Sequence, residues 1–222
     1  MTMHTTVSIA APAIAGSSRT SSLVRTTTAG GMVAGPMFVV AVIVQAITRP
    51  GYDLARHPIS MLTLGDLGWV QSANFIISGA LMLAFAAGLR VGRNGAWGPP
   101  LVGVFGAGLI MAGLFVPDPA WSFPPGSPDG IPAQLSVNAI LHGVGFTLAF
   151  LGISSACLVF ARRFIMAGQP LLAAYTVATA LVALALSGWP GTDGASIRYF
   201  IASVIVWTWS VVLAVRVRSD LG

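Results

Sequence analysis

Residues 135–160 read LSVNAILHGVGFTLAFLGISSACLVF, a run without Lys, Arg, Asp or Glu whose single ionisable ring, His142, lies seven residues from its start. A membrane's hydrocarbon core, about 30 Å thick, is crossed by about 20 mostly apolar helical residues, because each backbone N–H and C=O must be paired within the segment. Outward from this run, five further segments have the same character: 29–48, 69–89, 99–116, 170–187 and 197–215. The only formal charge in any of them is Arg198, at the edge of the last. The expected fold is all-α and integral to the membrane, a six-transmembrane-helix bundle occupying 29–217.

Composition agrees: 55% hydrophobic residues, 8% charged residues and a mean hydropathy of +0.85 exclude a soluble domain of this length. All eleven basic residues are Arg and all six acidic residues are Asp, a bias that suggests a GC-rich genome. A pI near 10.7 raises the question of nucleic acid. The arginines, however, stand singly or in pairs beside the spans, as topology requires, so a nucleic-acid role is rejected. Arg19, Arg25, Arg90, Arg93, Arg162, Arg163, Arg216 and Arg218 fall on one side of the spans, against Arg49, Arg56 and Arg198 on the other. Positive flanks stay in the cytoplasm, so both termini are expected there. The location implied is the cell membrane, the inner membrane of a bacterium.

Residues 1–28, rich in Ser, Thr and Ala, are expected to form a mobile cytoplasmic tail, with 218–222 as a second. The apolar stretch 7–15 could suggest a cleaved signal, but no basic region precedes it. Cys157 is the only cysteine; it lies in the fourth span, so neither an intramolecular disulfide nor a cysteine metal cluster can form. Gly103 with Ala107, Gly108 with Ala112, and Gly145 with Ala149 have the spacing that lets membrane helices approach closely. Trp69, Trp97, Trp121 and Trp189 mark the interfaces.

The loop Arg49-Pro50-Gly51-Tyr52-Asp53-Leu54-Ala55-Arg56-His57-Pro58-Ile59-Ser60 is the most distinctive stretch. Pro58 suits the first turn of a short helix, and Asp66 is expected to cap the second span. About 10 Å below the start of the fourth span, His142 is an intramembrane ionisable group, which by default marks a site. Gln45, Gln71, Asn74, Ser78 and Asn138 add polarity at the same end, so an outward-open polar cup is expected. Hydrogen bonding between helices is the alternative for these amides and hydroxyls. Asp118 follows the third span, where the helix dipole opposes a carboxylate. His57, His142, Arg56, Arg198 or a cation could compensate it, or solvent alone could. An Asp193–Arg198 pair would be structural.

Tyr52-Asp53, His57, Ile59-Ser60, Asn74-Phe75, Pro117-Asp118 and His142 together resemble the pattern of the bacterial domain-of-unknown-function 998 family, over roughly 31–215. The resemblance implies a six-helix membrane fold and no particular reaction.

Function is therefore argued from the inventory. With no Lys, a retinal Schiff base is excluded; with His57 in a loop, haem is disfavoured. A divalent metal would need His57, His142 and Asp118. One expectation is an enzyme acting on a lipid or other apolar substrate as hydrolase, transferase or isoprenoid cyclase. Its catalytic groups would be His57, His142, Asp53 and Asp118, with Asn74, Asn138, Ser60 and Gln45 contacting substrate. The other is a non-catalytic carrier or a binding and assembly subunit. Membrane lipids, an apolar small molecule and a second copy of the chain are the partners either could meet.

Overall fold

A computed structural model describes residues 14–190 and 194–220, and side chains from residue 22 onward. Among them are six α-helices and no strand: α1 (Ile14–Thr48), α2 (Gly68–Val91), α3 (Gly98–Leu114), α4 (Val137–Met166), α5 (Pro170–Gly188) and α6 (Ala195–Ser219). A 3₁₀ helix, Ile59–Thr63, interrupts the loop after α1. Five of the helices contain segments long and apolar enough to cross a membrane, and α3 is shorter but equally apolar. These are the helices of a multi-pass membrane protein.

Local chemistry sets the boundaries. The helix that the sequence predicts over 99–116 stops at Leu114, with Phe115 extended; Pro117 disfavours helical geometry at Val116, so the helix could not have run through it. Ser136 caps α4, its hydroxyl accepting from the Ala139 amide at 3.1 Å. Pro170 opens α5 at a position where no N–H is needed. Helix α1 begins at Ile14, inside the stretch where the sequence predicts a tail; residues 1–13 and 221–222 lie outside the described residues.

Each helix packs on its neighbours in sequence, and α6 returns to α1, closing a ring. At one end of the ring the Arg218 guanidinium donates to the Arg25 carbonyl at 2.6 Å, tying the last helix to the first. The interior is aromatic: Phe38 lies 5.3 Å from Phe75 and 5.2 Å from Trp207, and Phe105 lies 5.1 Å from Trp207, between ring centroids. Six helices around one axis leave a central space, and these rings fill most of it.

Helix α3 is clasped on both sides by backbone contact. A Cβ on Gly79 of α2 would sit 2.5 Å from the Gly106 carbonyl oxygen, and one on Gly108 would sit 2.6 Å from the Gly145 carbonyl of α4. Gly108 and Gly145 thus use the small-residue spacing as the sequence suggests. Gly103 does not, since its nearest neighbour would be Ala86 at 3.8 Å. Trp69, Trp97 and Trp189 project from the bundle, whereas Trp121 is half-buried in a loop.

Candidate functional site

The loops after α1 and α3 fold together into a cap over one end of the ring. His57 is their latch. Its Nδ1 accepts from the Asp53 amide at 2.9 Å, and its Nε2 lies 3.0 Å from the Trp121 carbonyl, which fixes the proton on Nε2. The Tyr52 hydroxyl donates to the His57 carbonyl at 2.8 Å. Phe123, 1% exposed, packs against both rings at 5.4 and 5.2 Å and lies under the Arg49 guanidinium. Arg49 in turn donates to the carbonyls of Leu62 and Leu64, satisfying the end of the 3₁₀ segment. Burial lowers the pKa of this guanidinium, with the Asp66 charge opposing. Burial, and then the Asp53 charge, raises that of the Tyr52 phenol.

The aspartates are spent on the cap. Asp53 accepts from the Ala55 amide at 2.8 Å, an Asx-type turn. Arg56 pairs with Asp129 of the other loop, across an exposed surface. Asp118 finds a partner absent from the sequence-based candidates: its Oδ2 accepts from the Ser136 amide at 2.8 Å, so the N-terminus of α4 offsets the charge that the end of α3 opposes. Asp66 does not cap α2. Leu67 occupies that position without a side-chain bond, and the turn is closed by the Gly68 amide to the Gly65 carbonyl at 2.9 Å. Asp193 lies outside the described residues.

The amides expected to form a cup are divided. Gln45 donates to Gln71 Oε1 at 2.7 Å, and Asn74 donates to the same oxygen and to the Phe38 carbonyl, both at 3.2 Å. With Ser78 they are buried between α1 and α2 as an interhelical cluster. Asn138 is exposed on the first turn of α4.

His142 stands apart from all of these. Its Nδ1 lies 3.1 Å from the Ala112 carbonyl and 2.8 Å from that of Phe115. Both partners are acceptors only, so Nδ1 carries the proton. These are the carbonyls that the broken end of α3 leaves without helical partners. The ring also lines a cavity of about 240 Å³, walled by Phe38, Phe75, Phe105, Phe146 and Trp207. The roof is the cap's own Pro58-Ile59-Ser60, and Tyr199 and Ser203 of α6 bring two more hydroxyls. The α1, α2 and α3 walls are buried, while Gly143 on α4 is exposed and Phe146 and Tyr199 are half-buried. The cavity is therefore least covered on its α4 and α6 side, where Phe146 and Tyr199 meet edge to face at 5.3 Å between ring centroids.

The cavity brings His142 and Ser60 together but not His57, Asp53 or Asp118. Among the described residues no group of three His, Cys, Asp or Glu side chains is placed to hold a metal ion, so the His57, His142 and Asp118 ligand set is not assembled. Sequence reasoning missed the aromatic walls and Tyr199, because Phe and Trp inside an apolar span carry no mark that separates packing from lining.

The family model described as "Protein of unknown function (DUF998)" matches residues 32–216. No curated protein and no solved structure matches the chain.

Proposed function

From the premise that the chain belongs to the DUF998 family, we propose that it binds a membrane-dissolved apolar molecule in the cavity beside His142, admitted from its α4 and α6 side. The observation carrying this reading is one imidazole, anchored to backbone through Nδ1, on the wall of a largely apolar and aromatic space of about 240 Å³. Pockets for small apolar ligands have this composition, with few polar groups fixing orientation. All six helices cross the membrane in this proposal, α3 included. Both termini are cytoplasmic and the membrane is the bacterial cell membrane, a topology supported by the eight-to-three distribution of arginines. The cap then faces outward.

Catalysis is the second reading, favoured by the Ser60 and Tyr199 hydroxyls that share the cavity with His142. In that case His142 Nε2 would take a proton from a bound hydroxyl, and the substrate would be a lipid or isoprenoid. His57, Asp53 and Asp118 are assigned to holding the cap in either case.

The test is to purify the protein in mild detergent and identify co-purifying apolar molecules by mass spectrometry. A Cβ on Gly143 meets nothing within 4 Å, so a side chain can leave the backbone there without a clash, and Gly143→Trp adds bulk at the rim. Wild type should retain a molecule that Gly143→Trp and His142→Leu lose. The same content in all three would overturn the reading.

A further inference from the structure

Resting on the cavity reading above, we infer that the ligand is a small alcohol or phenol whose hydroxyl donates to His142 Nε2, and not a ketone, quinone, ether or carboxylate.

The argument starts from the committed nitrogen. Two carbonyl oxygens hold the Nδ1 proton of His142, so in its neutral form the ring offers a bare lone pair at Nε2. The two ring nitrogens diverge across Cε1, which aims Nε2 away from α3. Among the described residues no group bonds it. An acceptor in apolar surroundings gains most from a ligand that donates, and a ligand bringing only acceptors leaves both atoms unpaired. The other hydroxyls suit the same head group. Ser203 already donates to the Phe200 carbonyl at 2.7 Å, while Ser60 and Tyr199, which carry hydroxyls, are among the residues lining the cavity. No arginine or lysine lines the cavity to hold an anion, and bringing a carboxylate in unpaired would be costly.

Size follows from volume. A cavity of about 150 Å³ holds benzene, so 240 Å³ takes roughly ten non-hydrogen atoms. A longer tail would leave on the α4 and α6 side into lipid.

The probes are 1-nonanol, methyl octyl ether of the same atom count, and nonanoate, added to the protein in nanodiscs while its thermal midpoint is followed. Each titration is repeated on Gly143→Trp, so that effects of the probe on the bilayer cancel. Nonanol should raise the midpoint of the wild type but not of Gly143→Trp, and the ether should need roughly tenfold more or beyond for the same shift. Equal action of nonanol and ether, with Gly143→Trp still unresponsive, would overturn the donor rule and leave the cavity reading standing. Preference for nonanoate would overturn the donor rule in favour of an anion. No difference between wild type and Gly143→Trp with any probe would sink both.

Discussion

His57 and His142 are the two histidines that the sequence singles out, and the same atom type does opposite work in each. In His57 both ring nitrogens are used by backbone groups of two loops; in His142 backbone takes Nδ1 alone, and the ring lines a cavity. Removing the first should therefore cost stability and removing the second should cost binding. His57→Ala deletes two hydrogen bonds at a site 3% exposed and leaves the Trp121 carbonyl without its partner, a loss of about 2–4 kcal/mol. It would be read as a lowered thermal midpoint in detergent, and an unchanged midpoint would sink the latch assignment. Tyr52 gives the cap a pH signature. Its phenol is held above the ordinary tyrosine value, chiefly by burial, so the folded chain keeps a proton that the unfolded chain releases. That stability is fully present below about pH 10 and is lost as pH rises through the raised folded value. Unfolding midpoints should fall above pH 10 in the wild type and fall less in Tyr52→Phe, which itself starts about 1 kcal/mol lower for the missing bond to His57. Sequence could mark both histidines as unusual, His142 for standing in an apolar span and His57 for its place in the most distinctive loop. It could not say which ring meets backbone on both sides, because the partner of His57 is Trp121, in a different loop and visible only after the loops meet.

The apolar parts of the helices were legible, since a charge-free apolar run has one solution in lipid; the Ser- and Thr-rich start of α1, from Ile14, was not. What remained hidden was how α3 ends, and that detail builds the site. Had the helix continued to 116 as the sequence suggests, the Ala112 carbonyl would bond within α3 and His142 would have no anchor there. The face of α4 that turns to α3 was legible in part: His142, Gly145 and Ala149 share one stripe at helical spacing, and two small residues on it imply a close neighbour. The closeness can be tested. Gly108→Val and Gly145→Val each drive a side chain into the opposite backbone at under 3 Å, and at least 1–3 kcal/mol of overpacking cost is expected for each. Gly103→Ala, with its nearest contact at 3.8 Å, should stay within about 0.5 kcal/mol of wild type. If Gly103→Ala and Gly108→Val unfold at the same temperature, the clasp of α3 between α2 and α4 is wrong.

For the whole molecule, ring closure explains why a cavity exists and the charge distribution proposes which way it faces. Six helices packed chiefly on their ring neighbours enclose more width than aliphatic side chains fill, so Phe38, Phe105 and Trp207 reach across the centre, and the space left over lies under the cap. The cap end carries Asp53, Asp66, Asp118 and Asp129, while the opposite end carries Arg90, Arg93, Arg162, Arg163, Arg216 and Arg218; in the proposed topology, retention of positive flanks puts the second end in the cytoplasm. A single native thiol makes this measurable without further engineering, because Cys157 is buried at 0% exposure and should not react with a maleimide in the folded protein. Asp129→Cys gives up only a surface ion pair, worth under about 1 kcal/mol, and Arg162→Cys replaces an exposed residue; the two positions are separated by α4 alone. A membrane-impermeant maleimide should label Asp129→Cys in intact cells and Arg162→Cys only after permeabilisation. The reverse pattern would invert the protein and open the cavity's cap to the cytoplasm, whereas labelling of both from outside would remove α4 as a crossing and with it the ring on which the cavity depends.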